Sequence, residues 1–305
     1  MNKNITSIVI VFFILLCSCK SNNSEKKESN KIKAASDATS APTVSNYDFT
    51  HPSKRWVLSD SLIEISGIAW LGDNKMMAIE DLHPLLYTLQ LGDTAGKIIS
   101  KVSFKETEKE KYDMEDMAII GDTVYALWSH GAVFKIWGLD KKISVKKTKT
   151  WLSKENNTEG MAFDPVTGNL LIACKDESDI ADDKKSTRSV FEFDVKADSL
   201  MTTPFMLIHK KDFKDLTGEK IEFYPSAIAV HPVTHDVYIM STKDTKCIAQ
   251  FSHEGQLKVF QYLDKDMMLQ PEGICFDPQG NLYISTEGKH GVPPYIYKFE
   301  GKTGK

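Results

Sequence analysis

Residues 271–287 read PEGICFDPQGNLYISTE, two apolar runs on either side of the turn Asp277-Pro278-Gln279-Gly280. Short runs rich in Ile, Tyr and Phe, bounded by Pro, Gly, Asp and Asn, read as strands, and the turn between them makes the pair an antiparallel hairpin. Five steps separate Glu272 from Asp277 and six separate Asn281 from Glu287. Strands of nearly equal length bring their outer ends to one edge, so Glu272 and Glu287 are expected on the same rim, opposite the Asp-Pro turn.

The phrase recurs. Residues 65–79 read ISGIAWLGDNKMMAI, 114–125 MEDMAIIGDTVY, 158–172 TEGMAFDPVTGNLLI and 225–239 PSAIAVHPVTHDVYI. Aligned on Ser66, Glu115, Glu159, Ser226 and Glu272, the steps are 49, 44, 67 and 46 residues. Spacings of about 45 residues belong to propeller blades. The long step holds two insertions, KDESDIADDKKSTRS at 175–189 and KDFKDLTGEKIEF at 211–223. No window of a dozen residues has 3.6-residue apolar spacing. Each unit therefore reads as a four-stranded antiparallel meander whose two faces are covered by neighbouring units. Ala69, Ala118, Ala162, Ala229 and Cys275 share one place in the repeat, and small side chains suit strands crowded round an axis.

The last unit holds three strands, and RWVLSDSL at 55–62 is expected to supply the fourth, closing the ring with both chain ends. The fold expected is all-β, a five-bladed β-propeller. A sixth blade would need about 45 further residues, and a twisted β-sandwich does not explain five repeats in phase.

The series SGIAW, EDMAI, TEGMAF, PSAIAV, PEGICF resembles the SdiA-regulated family of bacterial propellers, distant relatives of NHL-repeat proteins, over roughly residues 54–300. The resemblance implies five blades and a calcium site. It implies no particular reaction.

Ring symmetry collects the blade entrances Ser66, Glu115, Glu159, Ser226 and Glu272 on one face with the second-strand exits Asp81, Asp176 and Glu287. Carboxylates that close together raise one another's pKa or require a counter-charge. Oxygen donors from several segments suit Ca²⁺ rather than Zn²⁺. Glu115, Glu159, Glu272, Asp81, Asp176 and Glu287 are thus candidate metal ligands. The alternatives are hydrogen bonds from these glutamates to the backbone of neighbouring blades, or another cationic ligand. His130 and His290 follow second strands and are the candidate catalytic residues should the metal serve a hydrolase of lactones, esters or phosphoesters. The remaining turn histidines, His83, His231, His235 and His253, receive no role. Trp70, Trp128 and Trp137 are expected between blades, and the charged insertion at 175–189 over the rim as a lid or a solvated loop.

At the N-terminus, Lys3 precedes the nine-residue apolar run Ile8 to Leu16, too short to span a bilayer, which takes about 20 residues. It reads as a signal peptide over 1–18. Leu16-Cys17-Ser18-Cys19 resembles the bacterial lipobox, with Cys19 as the lipidated residue. Lys20 follows where an inner-membrane retention signal would have Asp, so an outer-membrane lipoprotein is expected, facing the periplasm or the surface. Residues 19–50 are poor in large apolar side chains and read as a tether, with residues 51–305 as the propeller domain. Residues 1–33 carry +4 and the whole chain −4, which leaves −8 on the remainder. An acidic domain argues against nucleic acid. The partners expected are the membrane, through Cys19, and a small molecule or an envelope protein. A scaffold in an envelope complex is the third possibility. Cys174, Cys247 and Cys275 are odd in number and widely spaced, so no disulfide framework is expected.

Overall fold

A computed structural model of the chain describes residues 45–105, 111–176, 178 and 185–302. The signal peptide, Cys19, most of the tether and residues 177 and 179–184 of the charged insertion lie outside these residues.

The chain forms five four-stranded antiparallel sheets in a ring. Blade one holds β2 (Ile65–Gly72), β3 (Lys75–Glu80), β4 (Leu85–Leu91) and β5 (Gly96–Ser103). Blade two holds β6 (Met114–Ile120), β7 (Thr123–Trp128), β8 (Val133–Trp137) and β9 (Ser144–Thr148). Blade three holds β10 (Thr158–Asp164), β11 (Asn169–Cys174), β12 (Thr187–Asp194) and β13 (Ser199–His209). Blade four holds β14 (Pro225–Val230), β15 (Val237–Ser241), β16 (Cys247–Phe251) and β17 (Leu257–Tyr262). Blade five joins β18 (Pro271–Phe276), β19 (Leu282–Thr286) and β20 (Tyr295–Phe299) to β1 (Lys54–Val57), which pairs antiparallel with β20. The closing strand ends at Val57. Asp60–Leu62, expected to continue it, is a 3-10 turn capped by Ser59, whose hydroxyl accepts from the Ser61 N–H.

Each pair of neighbouring blades encloses its own apolar layer. Ile68, Tyr87, Tyr283 and Ile296 pack between blades one and five, for example, and Leu170, Ile172, Leu127 and Val133 between blades three and two. This two-sided burial is why the inner strands read as continuous apolar runs rather than as alternating ones. Ala69, Ala118, Ala162, Ala229 and Cys275 line an axial cavity of about 400 Å³ that opens toward the Asp277-Pro278 turn. Cys174, Cys247 and Cys275 are buried and form no disulfide among the described residues.

Two further features differ from the sequence expectation. The insertion at 211–223 contains a helix, α1 (Lys210–Thr217), stopped by Gly218 in the left-handed region at φ 78°. Its Phe213 is fully buried against Phe223, Phe251 and Phe260. Eight residues with one deep anchor give too few turns for a periodic signal. Trp70 stacks on Tyr283 across a blade interface and Trp128 joins the layer around Phe134, but Trp137 is exposed at the end of β8.

The packed chain also includes residues 45–50, assigned to the tether by composition. Tyr47 and Phe49 are buried beneath blade five, and the Tyr47 hydroxyl donates to the Gly280 carbonyl at 2.6 Å. Two aromatic residues in a polar stretch escape a compositional reading. Tyr47→Phe, which keeps the ring and removes this bond, is expected to cost about 1 kcal/mol in urea denaturation; an unchanged midpoint would show that the ring alone holds the segment.

Candidate functional site

In every blade the first two strands slip register at the same place. The shifts fall between Ile65 and Ile68, Met114 and Asp116, Thr158 and Gly160, Pro225 and Ala227, and Pro271 and Ile274. Ser66, Glu115, Glu159, Ser226 and Glu272 are therefore bulge residues, left out of the ladder. A bulge bends the strand and re-aims a side chain. The repeat thus delivers its variable residue to one mouth of the axis, as the hairpin argument anticipated.

Glu115, Glu159 and Glu272 come close enough to raise one another. Burial, then Glu159 and Asp113, push the Glu115 carboxyl well above the usual range. Burial, then Glu287 and Glu159, hold Glu272 at about 8. Lys175, at the exit of β11, supplies a counter-charge: its Nζ stands 2.8 Å from Glu159 Oε2 and donates to it. Asn157 Nδ2 donates to Glu159 Oε1 at 2.8 Å. Burial raises the Glu159 pKa, and these bonds act against that. Burial alone would lower the Lys175 ammonium, but Glu159, Glu272 and Glu115 outweigh it and the net shift is upward. Lys175 therefore stays charged. Glu115 and Glu272 are both held above the usual carboxylate range, so ionising all three glutamates together is disfavoured.

The other expected ligands stand beside this group. Burial, then Glu64 and Asp81, raise Glu287 to about 7, and burial, then Asp113 and Glu64, raise Asp81 to about 6. Asp176 lies 3.7 Å from the Lys243 ammonium. Carboxylate oxygens are the right donors for calcium, yet among the described residues no three His, Cys, Asp or Glu side chains are placed to hold a metal ion. With the Lys175 ammonium on Glu159, the residues as they stand do not fit one. His130 is exposed and stacks on Trp128, and His290 is exposed in a turn at φ 55°. Among the described residues neither is hydrogen-bonded to a glutamate.

Ties between blades fall to residues the sequence reading passed over. Asp116 is buried; its Oδ1 accepts from the Met117 N–H and its Oδ2 from the Met161 N–H, both at 2.8 Å, which joins blade two to blade three. The Thr158 hydroxyl donates to the Trp128 carbonyl at 3.0 Å, and the Ser285 hydroxyl to the Ser66 carbonyl at 3.3 Å. On the opposite face His253 Nε2 lies 3.0 Å from Asp164 Oδ2, linking blade four to blade three. The glutamates are thus not needed as the blade ties that the alternative reading supposed. Comparison of the second-strand exits places Lys175 on this face beside Asp81, Asp176 and Glu287; its pairing with Glu159 is what that comparison leaves open.

A protein-family model described as SdiA-regulated matches residues 43–300. No curated protein matches the chain in sequence. Among solved structures, glutaminyl cyclase from Myxococcus xanthus aligns with a TM-score of 0.57 at 9% identity, covering 82% of this chain and 95% of that one. A luciferin-regenerating enzyme aligns at 0.47 and 13% identity over 78% of each chain. A gluconolactonase from Xanthomonas campestris aligns at 0.47 and 12% identity, over 77% of this chain and 72% of that one. At 9% identity the likeness to the glutaminyl cyclase is one of fold.

Proposed function

The chain belongs to the SdiA-regulated family, and we propose that it is a binding module of the cell envelope, tethered to an outer membrane through Cys19, that takes a small polar ligand at the axial mouth. What carries this reading is the company kept by Glu115, Glu159, Glu272 and Lys175. Three blades bring buried and half-buried ionisable groups together at one end of the axis, at a cost in desolvation, while the joining of the blades is done by Asp116, Thr158 and Ser285. Polar groups gathered in a concave opening and kept off their usual pKa mark a binding site.

Calcium at the same mouth is the second reading. It is favoured by the repulsion among Glu64, Asp81 and Glu287, which a divalent cation would relieve. It requires the Lys175 ammonium to leave Glu159, and no reaction step is assigned to the ion.

The test is a thermal-shift screen of the full chain in detergent against amino acids, organic acids, sugar phosphates and Ca²⁺, repeated on Glu115→Gln and Glu159→Gln. Stabilisation by at least one compound, lost in both variants, is expected. Shifts that survive both variants would move the site away from the mouth. Turnover of a chromogenic lactone, ester or phosphoester that stops with a chelator and in Glu272→Gln would replace the binding module with a calcium-dependent hydrolase.

A further inference from the structure

An opening lies beside Lys175 and Glu272, toward blades four and five. It has a volume of about 300 Å³ and is lined by Lys175, Lys243, Lys246, Lys289, Gln270 and Glu272 among others. Four ammonium groups thus converge from the exit of blade three, the loop after β15, and the turn after β19. Two of them have carboxylate partners, Lys175 with Glu159 and Lys243 with Asp176. The other two are held by neutral oxygens: Lys289 Nζ donates to Gln270 Oε1 at 3.0 Å, and Lys246 Nζ donates to the Leu269 carbonyl. Carbonyl and amide oxygens orient an ammonium without cancelling its charge.

We propose that this lysine pocket binds an oxyanion of the ligand, a carboxylate or a phosphate, with Lys246 and Lys289 as its principal contacts. The inference deepens the proposed function and rests on it, since the pocket shares Lys175 and Glu272 with the axial mouth. Its position gives the ligand a polarity: neutral or cationic groups lie toward Glu115 and Glu159, and the anionic group toward blades four and five. Lysine ammoniums are compact charges on flexible stems, so they close on an oxyanion without a preset fork. Two observations on charge agree with the geometry. Burial, then Lys289, lower the Lys246 pKa, the mark of a cation short of compensation. Burial, then Glu287 and Glu159, hold Glu272, the carboxyl in the pocket, at about 8, which lowers the share of it that is charged at neutral pH.

The chemistry fits a free small acid and an anionic lipid headgroup alike. The experiment uses the full chain in neutral detergent and measures binding of citrate and of inorganic phosphate by calorimetry at low salt, for wild type and for the double variant Lys246→Met/Lys289→Met. At least one anion is expected to bind wild type and to bind the double variant at least about tenfold more weakly, the loss that one charge-assisted hydrogen bond brings. Displacement of the bound anion by micelles containing phosphatidylglycerol, and not by phosphatidylcholine, assigns the pocket to a lipid headgroup; no displacement by either assigns it to a free acid. If the double variant fails to fold, as judged by circular dichroism, Lys289→Gln is read in its place. Absence of binding by citrate, phosphate and phosphatidylglycerol in wild type, or equal affinity in the variant, overturns the proposal. That failure would leave binding that depends on Glu115 and Glu159 untouched, so the two readings fall separately.

Discussion

Lys175→Met is expected to destabilise the chain by about 3 kcal/mol at pH 8 and by much less at pH 5. Removing one partner of a buried ion pair leaves the other charge uncompensated, which typically costs about 3–5 kcal/mol; the lower end suits a lysine that keeps some contact with water. In the variant, the buried Glu159 carboxylate faces Glu115 and Glu272 without an ammonium. Acid relieves the penalty because each carboxyl that gains a proton no longer needs one. Wild type should show the same trend in weaker form. Glu272 at about 8, Glu287 at about 7 and Asp81 at about 6 all titrate above their usual values. Between the unfolded and folded pKa of each, the folded chain holds the proton and the unfolded chain has lost it. Stability therefore declines as pH rises from about 4 to about 8. Urea denaturation at pH 5, 6.5 and 8 reads both effects. A wild type that gains stability over this range, or a variant that matches it at pH 8, would show that the cluster is solvated and carries no such strain.

Asp116→Ala should cost about 3 kcal/mol at pH 5, because it strands the N–H groups of Met117 and Met161 in a place that water does not reach, and less at higher pH, because burial holds the Asp116 carboxyl well above its usual range. The packing there leaves no replacement. A Cβ on Gly67 would already stand 2.5 Å from Asp116 Oδ1 and 2.8 Å from its Cα, so blade one has been pared to admit this carboxylate. Asp116→Asn keeps one acceptor and should lose roughly half as much. Equal costs for the two substitutions, measured from denaturation midpoints with unchanged m-values, would mean that the side chain's volume matters and its acceptors do not.

Asp116 also marks the limit of what the sequence discloses. The repeat is visible because the same apolar phrase returns five times, and from it follow the blades, the closing strand and the shared rim. In the sequence Glu115 and Asp116 are simply adjacent residues of one strand-like run. A bulge separates their fates: Glu115 turns to the mouth, and Asp116 turns inward to hold blade three. Bulges leave no fixed signature in one sequence, because they arise from how two strands slip against each other. The role of Lys175, which the repeat places among the second-strand exits, escapes the sequence for another reason. A lysine after a strand usually points to solvent, and only the convergence of three glutamates from distant parts of the chain makes this one a counter-charge. Tyr47 and Phe49 were concealed by the polar residues round them, and α1 by its single anchor. The pieces missed are those whose meaning depends on a partner far away in the chain.

The pairing of β1 with β20 has a consequence for how the molecule comes into being. Residues 54–57 are synthesised early and find their partners at 295–298 only when nearly the whole chain exists. Until then blade five lacks its outer strand and the circle stays open like an unfastened bracelet. Contacts so remote in sequence form slowly, and the unlatched form keeps strand edges bare. A chain cut short before residue 295 would therefore be more than a propeller missing its last ribbon: both its first and its last segments would hang loose, and neither end could protect the other.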